Sequence, residues 1–287
     1  MISASGRMLN IALPNKGALS EDAIDLVESA GYRCRRSGRE LFIRDSSQGV
    51  TFTFLRPRDI ATYVGNGVLD LGITGRDLLL ESRIPLMEIM PLGFGAARLC
   101  YAAPRDSATT IADLDGLRIA TTFTNLVSED LQSRGLKARL VPLDGAVEVS
   151  IQLGVADAIA DLVQTGSTLY QAGLKVIGKP ILSSEAVLVA RRLTQDAVTQ
   201  RFLSRVRGIL LAREYVIVEY DCPSELVRAA STITPGIEAP TIAPLSRHGW
   251  VAVKAMAKRN DANLIMDELE ALGAKGILIM TIRTCRI

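Results

Sequence analysis

Residues that can bind a phosphorylated ligand are concentrated in residues 144–168, DGAVEVSIQLGVADAIADLVQTGST. A largely apolar run, Ala158 to Val163, predicts a buried strand, with Asp157 directly before it and Asp161 within it. The Thr165-Gly166-Ser167-Thr168 turn that follows predicts a helix start, whose backbone N–H groups, hydroxyls and positive dipole end can bind phosphate. Neighbouring carboxylates can accept hydrogen bonds from sugar hydroxyls or hold Mg²⁺ through water. An ordinary strand-to-helix turn is the alternative, but the two acids and Glu148 upstream favour a site for a phosphorylated sugar.

Polar residues also follow four other predicted strands. They are Lys16 in LPNKGAL, Arg56 and Arg58 in FLRPRDI, Asp77 in LDLGITGRDLL, and residues 121–125, TTFTN. Each set taken alone fits a solvated loop. Five sets at matching positions predict a polar cleft, because ligands of α/β sheets bind beyond the carboxyl ends of the strands.

The elements that carry these residues alternate between strand and helix. We predict strands at 9–13, 51–55, 69–74, 98–103, 117–121, 138–141, 158–163 and 186–190, and helices at 20–30, 59–65, 75–81 and 197–213. This alternation predicts two lobes, each with a parallel sheet covered by helices.

After residue 213 the pattern changes. Strands are predicted at 215–220, 240–243, 250–256 and 276–282, and helices at 224–232 and 262–272. This βαββαβ order is ferredoxin-like and predicts a separate domain. Effector binding and oligomerisation both remain open for it.

Composition restricts the class of protein. The 287 residues are 48% hydrophobic and 22% charged, with a net charge of +2, which argues against a nucleic-acid surface. The four cysteines are far apart and His248 is the single histidine, so a Cys/His zinc site is not expected. The N-terminus lacks the apolar core of a signal peptide and no apolar run is long enough to span a bilayer, so we expect a cytoplasmic protein.

The sequence resembles the ATP phosphoribosyltransferase family in its long, self-regulated form, from about Leu9 to Ile287. The family signature stands here as Glu148, Gly154, Ala156 and Asp161 followed by the Thr-Gly-Ser-Thr turn. LPNKGAL, FLRPRDI, LDLGITGRDLL, IATTFTNL, YDCPSE and APTIAPL also look like that family.

The resemblance implies an α/β fold with two periplasmic-binding-protein-like lobes forming a cleft and a C-terminal ferredoxin-like regulatory domain. The first lobe would comprise residues 1–97 with 184–213, the second lobe residues 98–183, and the regulatory domain residues 214–287. It also implies a homo-oligomer, from dimer to hexamer, and feedback inhibition by L-histidine.

The implied reaction joins ATP to 5-phosphoribosyl 1-pyrophosphate with Mg²⁺, giving N1-(5-phosphoribosyl)-ATP and pyrophosphate. Lys16, Arg56 and Asp161 would be catalytic, and Mg²⁺ would be bound through substrate phosphates, its protein ligands being unknown. The residues implied for 5-phosphoribosyl 1-pyrophosphate are Glu148, Asp157, Ala158, Asp161, Thr165, Gly166, Ser167 and Thr168. Those implied for ATP are Lys16, Arg56, Asp77, Leu78 and Thr122, with the choice between Arg56 and Arg58 open.

For histidine, the resemblance implies Asp221, Ile237, Ala239, Thr241 and Gly276. Arg247-His248-Gly249 departs from the small residue that the family often has after APLS or APLA, which leaves the shape of that loop open. Two rival classes remain: a non-catalytic solute-binding protein and a regulatory subunit without turnover.

Overall fold

A computed structural model describes residues 8–38 and 40–286. These residues form two compact units. The first contains the chain up to Asp25 and Arg33–Thr194, and the second contains Leu26–Tyr32 and the chain from Gln195 onward. Residues 195–213, which the sequence-based division assigns to the first lobe, therefore group with the C-terminal unit.

The first unit contains two sheets. The first sheet has the order β2-β3-β1-β4-β11-β5. Its strands are β1 (Leu9–Pro14), β2 (Phe42–Asp45), β3 (Val50–Leu55), β4 (Leu71–Gly75), β5 (Met87–Pro91) and β11 (Ala186–Ala190). Strands β1, β3 and β4 are parallel, while β11 runs antiparallel to β4 and β5.

Helices cover the first sheet, and its strand β11 is completely buried. Every residue of β11, AVLVA, is buried, as expected for a strand that is covered on both faces. The helices that precede or follow its strands are α1 (Ala18–Ser29), α2 (Pro57–Gly65) and α3 (Arg76–Ser82). Ile60 and Val64 of α2 pack against Ala12 of β1.

The second sheet has the order β10-β6-β9-β7-β8. Its strands are β6 (Ala97–Pro104), β7 (Arg118–Thr121), β8 (Arg139–Pro142), β9 (Ala158–Val163) and β10 (Leu174–Ser184), and its helices are α4 (Thr124–Ser133), α5 (Val149–Gln152) and α6 (Ser167–Gln171). Leu99 and Tyr101 of β6 belong to one apolar cluster, and Cys100 and Ala102 belong to another. Alternate residues of a strand point to opposite faces of the sheet, so both faces of β6 are buried.

Purely parallel sheets were the wrong expectation. The chain crosses from the first sheet to the second after β5 and returns between β10 and β11. Each sheet therefore receives strands that are remote in sequence, and β11, β6 and β10 are inserted antiparallel to their neighbours. The strand–helix alternation constrains only elements that are consecutive in the chain.

The second unit contains a four-stranded antiparallel sheet in the order β13-β14-β12-β15. Its elements are α7 (Ala197–Glu214), β12 (Tyr215–Pro223), α8 (Val227–Ile233), β13 (Thr241–Pro244), β14 (Trp250–Lys258), α9 (Ala262–Leu272) and β15 (Lys275–Thr281). Alternate residues of β12, beginning with Val216, share a core with Ile265 and Leu269 of α9. The ferredoxin-like arrangement is confirmed.

Three strands were not predicted: β2, β5 and β10. Exposed positions interrupt the apolar pattern of β2 and β5, and β10 changes register between Ile177 and Leu182 around Gly178. The predicted helix at 224–232 begins with a 3₁₀ turn, Ser224–Leu226, before α8. Within the described ranges, none of the helices is long and apolar enough to cross a membrane.

Candidate active site

A cleft of about 670 Å³ lies in the first unit and is lined by residues of both lobes. In the first lobe, the lining residues lie in the segments after β1, β3 and β4. The second lobe contributes the segments after β7, β8 and β9. The cleft-lining residues named in the sequence analysis are Lys16, Arg58, Asp77, Leu78, Thr122, Glu148, Asp161, Thr165, Gly166, Ser167 and Thr168.

The turn after β9 has the geometry of a tight strand-to-helix connection. Gly166 precedes α6 with a φ of 81°, in the left-handed region that glycine adopts without strain. The Thr165 and Ser167 hydroxyls lie 3.0 Å apart, and the backbone N–H of Ser167 donates to Thr165 Oγ1 at 3.4 Å. Backbone amide and hydroxyl donors are thus presented on one side of the cleft.

Asp161 lies near the end of β9, half-buried, and its Oδ1 accepts the backbone N–H of Leu162 at 2.8 Å. Burial raises the pKa of Asp161, the nearby charge of Glu148 raises it further, and Arg58 lowers it. All three residues line the cleft, so two carboxylates and one guanidinium are available to a ligand bound there.

Asp157 and Ala158 lie at the other end of β9 and are not among the residues that line the cleft. Arg118 holds the Asp157 carboxylate through Nε at 3.0 Å and Nη2 at 2.7 Å, and its backbone N–H donates at 2.9 Å. Arg118 lowers the pKa of Asp157 through these hydrogen bonds. Ala158 is fully buried in the sheet. Both residues therefore fix the start of β9 against β7.

The two arginines after β3 occupy different places. Arg56 precedes α2 at its N-cap position and is not among the cleft-lining residues. Arg58 lines the cleft, donates from Nη2 to the Thr122 carbonyl at 2.8 Å, and lies over the Phe123 ring, 5.8 Å from its centroid. A residue on α2 of the first lobe thereby contacts the second lobe.

Asp77 is the second residue of α3 and is almost completely buried. Its Oδ1 accepts the Ser184 hydroxyl at 2.6 Å, and its backbone N–H donates to Ser184 Oγ at 3.0 Å. Burial raises the pKa of Asp77, and the hydrogen bond from Ser184 opposes this. Leu78 and Thr122 line the same region of the cleft.

Sequence reasoning missed Arg118, Ser184 and Glu81. Glu81 accepts hydrogen bonds from the start of α4, as detailed below. Each of these side chains contacts residues at least 39 positions away in the chain. No local pattern reports such pairs, so only the tertiary structure reveals them.

Of the five residues predicted to contact histidine, Asp221 and Gly276 are neighbours on β12 and β15. A Cβ atom added to Gly276 would lie 3.8 Å from Asp221 Oδ2. Ile237, Ala239 and Thr241 are exposed in and beside β13. His248 is exposed in the turn between β13 and β14.

The described part of the chain holds no cluster of three or more His, Cys, Asp or Glu side chains that could bind a metal ion. Asp144, Glu148 and Asp161 nevertheless line the cleft. One or two carboxylates suffice where Mg²⁺ is bound largely by substrate phosphates.

The fold and the cleft define the class: a protein with two periplasmic-binding-protein-like α/β lobes and a polar cleft, followed by a ferredoxin-like domain. Comparison with known proteins identifies the family. The ATP phosphoribosyltransferase family model matches residues 56–208, and the model of its C-terminal domain matches residues 212–284.

Relatives match along their whole length. An ATP phosphoribosyltransferase of Salinibacter ruber is 57% identical over 284 residues, covering 98% of this chain and 100% of the relative. That of Mycobacterium tuberculosis (strain H37Ra) is 50% identical over 283 residues, covering 97% and 100%. A solved ATP phosphoribosyl transferase (HisG:HisZ) complex from Thermotoga maritima matches with a TM-score of 0.61 and 27% identity, covering 70% of this chain and 97% of that chain.

The chain belongs to the ATP phosphoribosyltransferase family. It is therefore a transferase of histidine biosynthesis, and the catalytic interpretation is favoured over that of a solute-binding protein. The resemblance seen in the sequence is confirmed.

Proposed function

We propose that this protein condenses ATP with 5-phosphoribosyl 1-pyrophosphate in the cleft of its first unit. The products are N1-(5-phosphoribosyl)-ATP and pyrophosphate. The observation that carries the proposal is the cleft itself, which brings a hydroxyl-rich turn, two carboxylates and two cations together from both lobes.

The phosphoribosyl end is assigned to the second lobe. The Thr165–Thr168 turn would hold the 5-phosphate through its backbone N–H groups and hydroxyls, with Gly166 permitting close approach. Asp161 and Glu148 would accept hydrogen bonds from the ribose hydroxyls. Asp157 is assigned the structural task of anchoring β9 through Arg118 rather than a ligand contact.

The ATP end is assigned to α3 of the first lobe and the segment before α4 of the second lobe. Asp77, Leu78 and Thr122 would contact the nucleotide, while Lys16 and Arg58 would neutralise phosphate charge. Arg56, the N-cap residue of α2, does not line the cleft and is given no direct contact.

The chemistry needs positioning more than an activated nucleophile. Adenine N1 already carries a lone pair, which forms the new bond to the ribose carbon as the bond to pyrophosphate breaks. Positive charge develops on the ribose carbon and negative charge on the leaving group. Carboxylates beside the ribose and cations beside the pyrophosphate stabilise both charges in the transition state.

Mg²⁺ fits the donor set of this cleft. The ion would be carried by the phosphates of the substrates, with Asp161 or Glu148 completing its coordination directly or through water. When bound, it neutralises charge on the departing pyrophosphate.

Regulation is assigned to the second unit. L-histidine would bind beside Asp221 and Gly276, with the carboxylate of Asp221 accepting its ammonium or imidazole N–H groups. A homo-oligomer, from dimer to hexamer, and a cytoplasmic location complete the proposal.

Product analysis tests the catalytic part. Protein mixed with ATP, 5-phosphoribosyl 1-pyrophosphate and Mg²⁺ should form a species whose mass is that of ATP plus one phosphoribosyl group, as detected by mass spectrometry. An Asp161→Asn variant should form it far more slowly. Unchanged substrates after prolonged incubation with the wild-type protein would contradict the proposal.

A further inference from the structure

The start of α4 is capped from the other lobe. Its N-cap residue is Phe123, whose ring cannot accept a hydrogen bond from the helix. Glu81, near the end of α3, supplies the missing acceptor. Its Oε1 accepts the backbone N–H of Asn125 at 3.0 Å, and its Oε2 accepts that of Leu126 at 3.0 Å.

Two further hydrogen bonds complete this contact. The Thr124 hydroxyl donates to Glu81 Oε1 at 3.3 Å, and Asn125 Nδ2 donates to the Glu81 carbonyl at 2.8 Å. All four residues involved are half-buried. The carboxylate also lies at the positive end of the α4 dipole, which stabilises its negative charge.

This cap joins two segments that line the cleft, one from each lobe. Asp77 and Leu78, at the start of α3, line one wall, and Glu81 lies one turn further along the same short helix. Thr122 and Phe123, immediately before α4, line the cleft from the second lobe. A shift of α4 relative to α3 therefore changes the distance between the two surfaces assigned to ATP.

We infer that Glu81 is a positioning residue for the reaction. By capping α4 across the lobes, it holds the Thr122–Phe123 segment at the spacing that ATP requires before any ligand binds. The inference rests on the proposed function for the identity of the ligand. The cap itself depends only on the contacts of Glu81.

Enzyme kinetics separate this role from a merely structural one. Glu81→Ala should lower kcat/KM for ATP at least about tenfold, because a hydrogen-bonded charge is lost and a cleft wall is displaced. The affinity for 5-phosphoribosyl 1-pyrophosphate, measured by calorimetry without ATP, should stay within about twofold, since its assigned turn lies on β9 and α6. Glu81→Gln keeps one acceptor oxygen, so its kcat/KM for ATP should lie between that of the wild type and that of Glu81→Ala.

Arg83→Ala is the matched control. Arg83 also joins α3 to α4, through an ion pair with Glu129 at 2.6 Å, but both side chains are more than half exposed. Its loss should leave the kinetics near those of the wild type, since exposed ion pairs contribute little. Hydrogen exchange at Asn125 and Leu126 should accelerate in Glu81→Ala and not in Arg83→Ala.

Wild-type kcat/KM for ATP in folded Glu81→Ala would overturn the inference, and so would equal losses for both substrates. If Glu81→Ala does not fold, the same comparison in Glu81→Gln decides. Wild-type protein that forms no product would contradict the proposed function instead, and calorimetric ATP binding in these variants would then test the cap's role.

Discussion

Arg58 and Arg56 are two residues apart, yet only Arg58 lines the cleft. We predict that Arg58→Ala lowers kcat/KM by about tenfold to a hundredfold, the range expected for losing one charged hydrogen-bond donor to the transition state. Arg56→Ala, the matched control, should retain most of the activity. Steady-state kinetics of the two variants test this, and a larger loss in Arg56→Ala would reverse the assignment.

Replacing Asp157 and Asp161, one before β9 and one within it, by the neutral asparagine is predicted to change native stability in opposite directions. The pKa of Asp161 is raised by burial and by Glu148, so its ionised form lowers native stability. The pKa of Asp157 is lowered by Arg118, so its ionised form raises native stability. At neutral pH, Asp161→Asn should therefore raise Tm, by on the order of a few degrees, whereas Asp157→Asn should lower it.

The pH dependence of Tm in the two variants tests whether their stability changes have the predicted opposite signs. The gain of Asp161→Asn should be present above the raised pKa and should vanish as pH falls below the ordinary value of 3.8, where the wild-type carboxyl is protonated in both states. The loss in Asp157→Asn should be present above 3.8 and disappear as pH falls through its lowered pKa. Thermal unfolding at several pH values measures both, and Tm shifts of the same sign would show that the two carboxylates do not have opposite effects on stability.

Among the elements, α6 offers a matched pair of glycines. Gly166 lies before the helix and Gly173 just after it, with φ values of 81° and 75° and no backbone atom near enough to clash with an added Cβ. Each alanine substitution should lower the free energy of unfolding by about 1 kcal/mol through backbone strain. Only Gly166→Ala should weaken calorimetric binding of 5-phosphoribosyl 1-pyrophosphate; equal weakening by Gly173→Ala would remove the turn from the site.

Elements also show what sequence reasoning can and cannot supply. Strands β9 and β11 were predicted with their observed bounds, because both are apolar runs flanked by clear breaks. The antiparallel insertion of β11 was not predictable, since it depends on a chain crossing between two sheets. Most of the polar residues predicted to form a cleft line the observed one. The Arg118–Asp157 pair and the Glu81 cap could not be predicted, because they join residues that are distant in sequence.

In the whole molecule, we expect catalysis to reside in the first unit and histidine control in the second. Asp221→Ala should leave the uninhibited rate unchanged and raise the histidine concentration needed for half-inhibition at least about tenfold, since a charged contact is lost. Glu219→Ala is the control on the same strand, because Glu219 pairs with Lys254 at 3.1 Å. Undiminished inhibition in Asp221→Ala would contradict the assignment of the effector site.

Catalysis and its control by histidine can be measured together as pyrophosphate release from the wild-type protein with ATP, 5-phosphoribosyl 1-pyrophosphate and Mg²⁺, in the presence and absence of L-histidine. We expect release that requires both substrates and is suppressed by histidine. Release from 5-phosphoribosyl 1-pyrophosphate alone, or no release with both substrates present, would contradict this expectation.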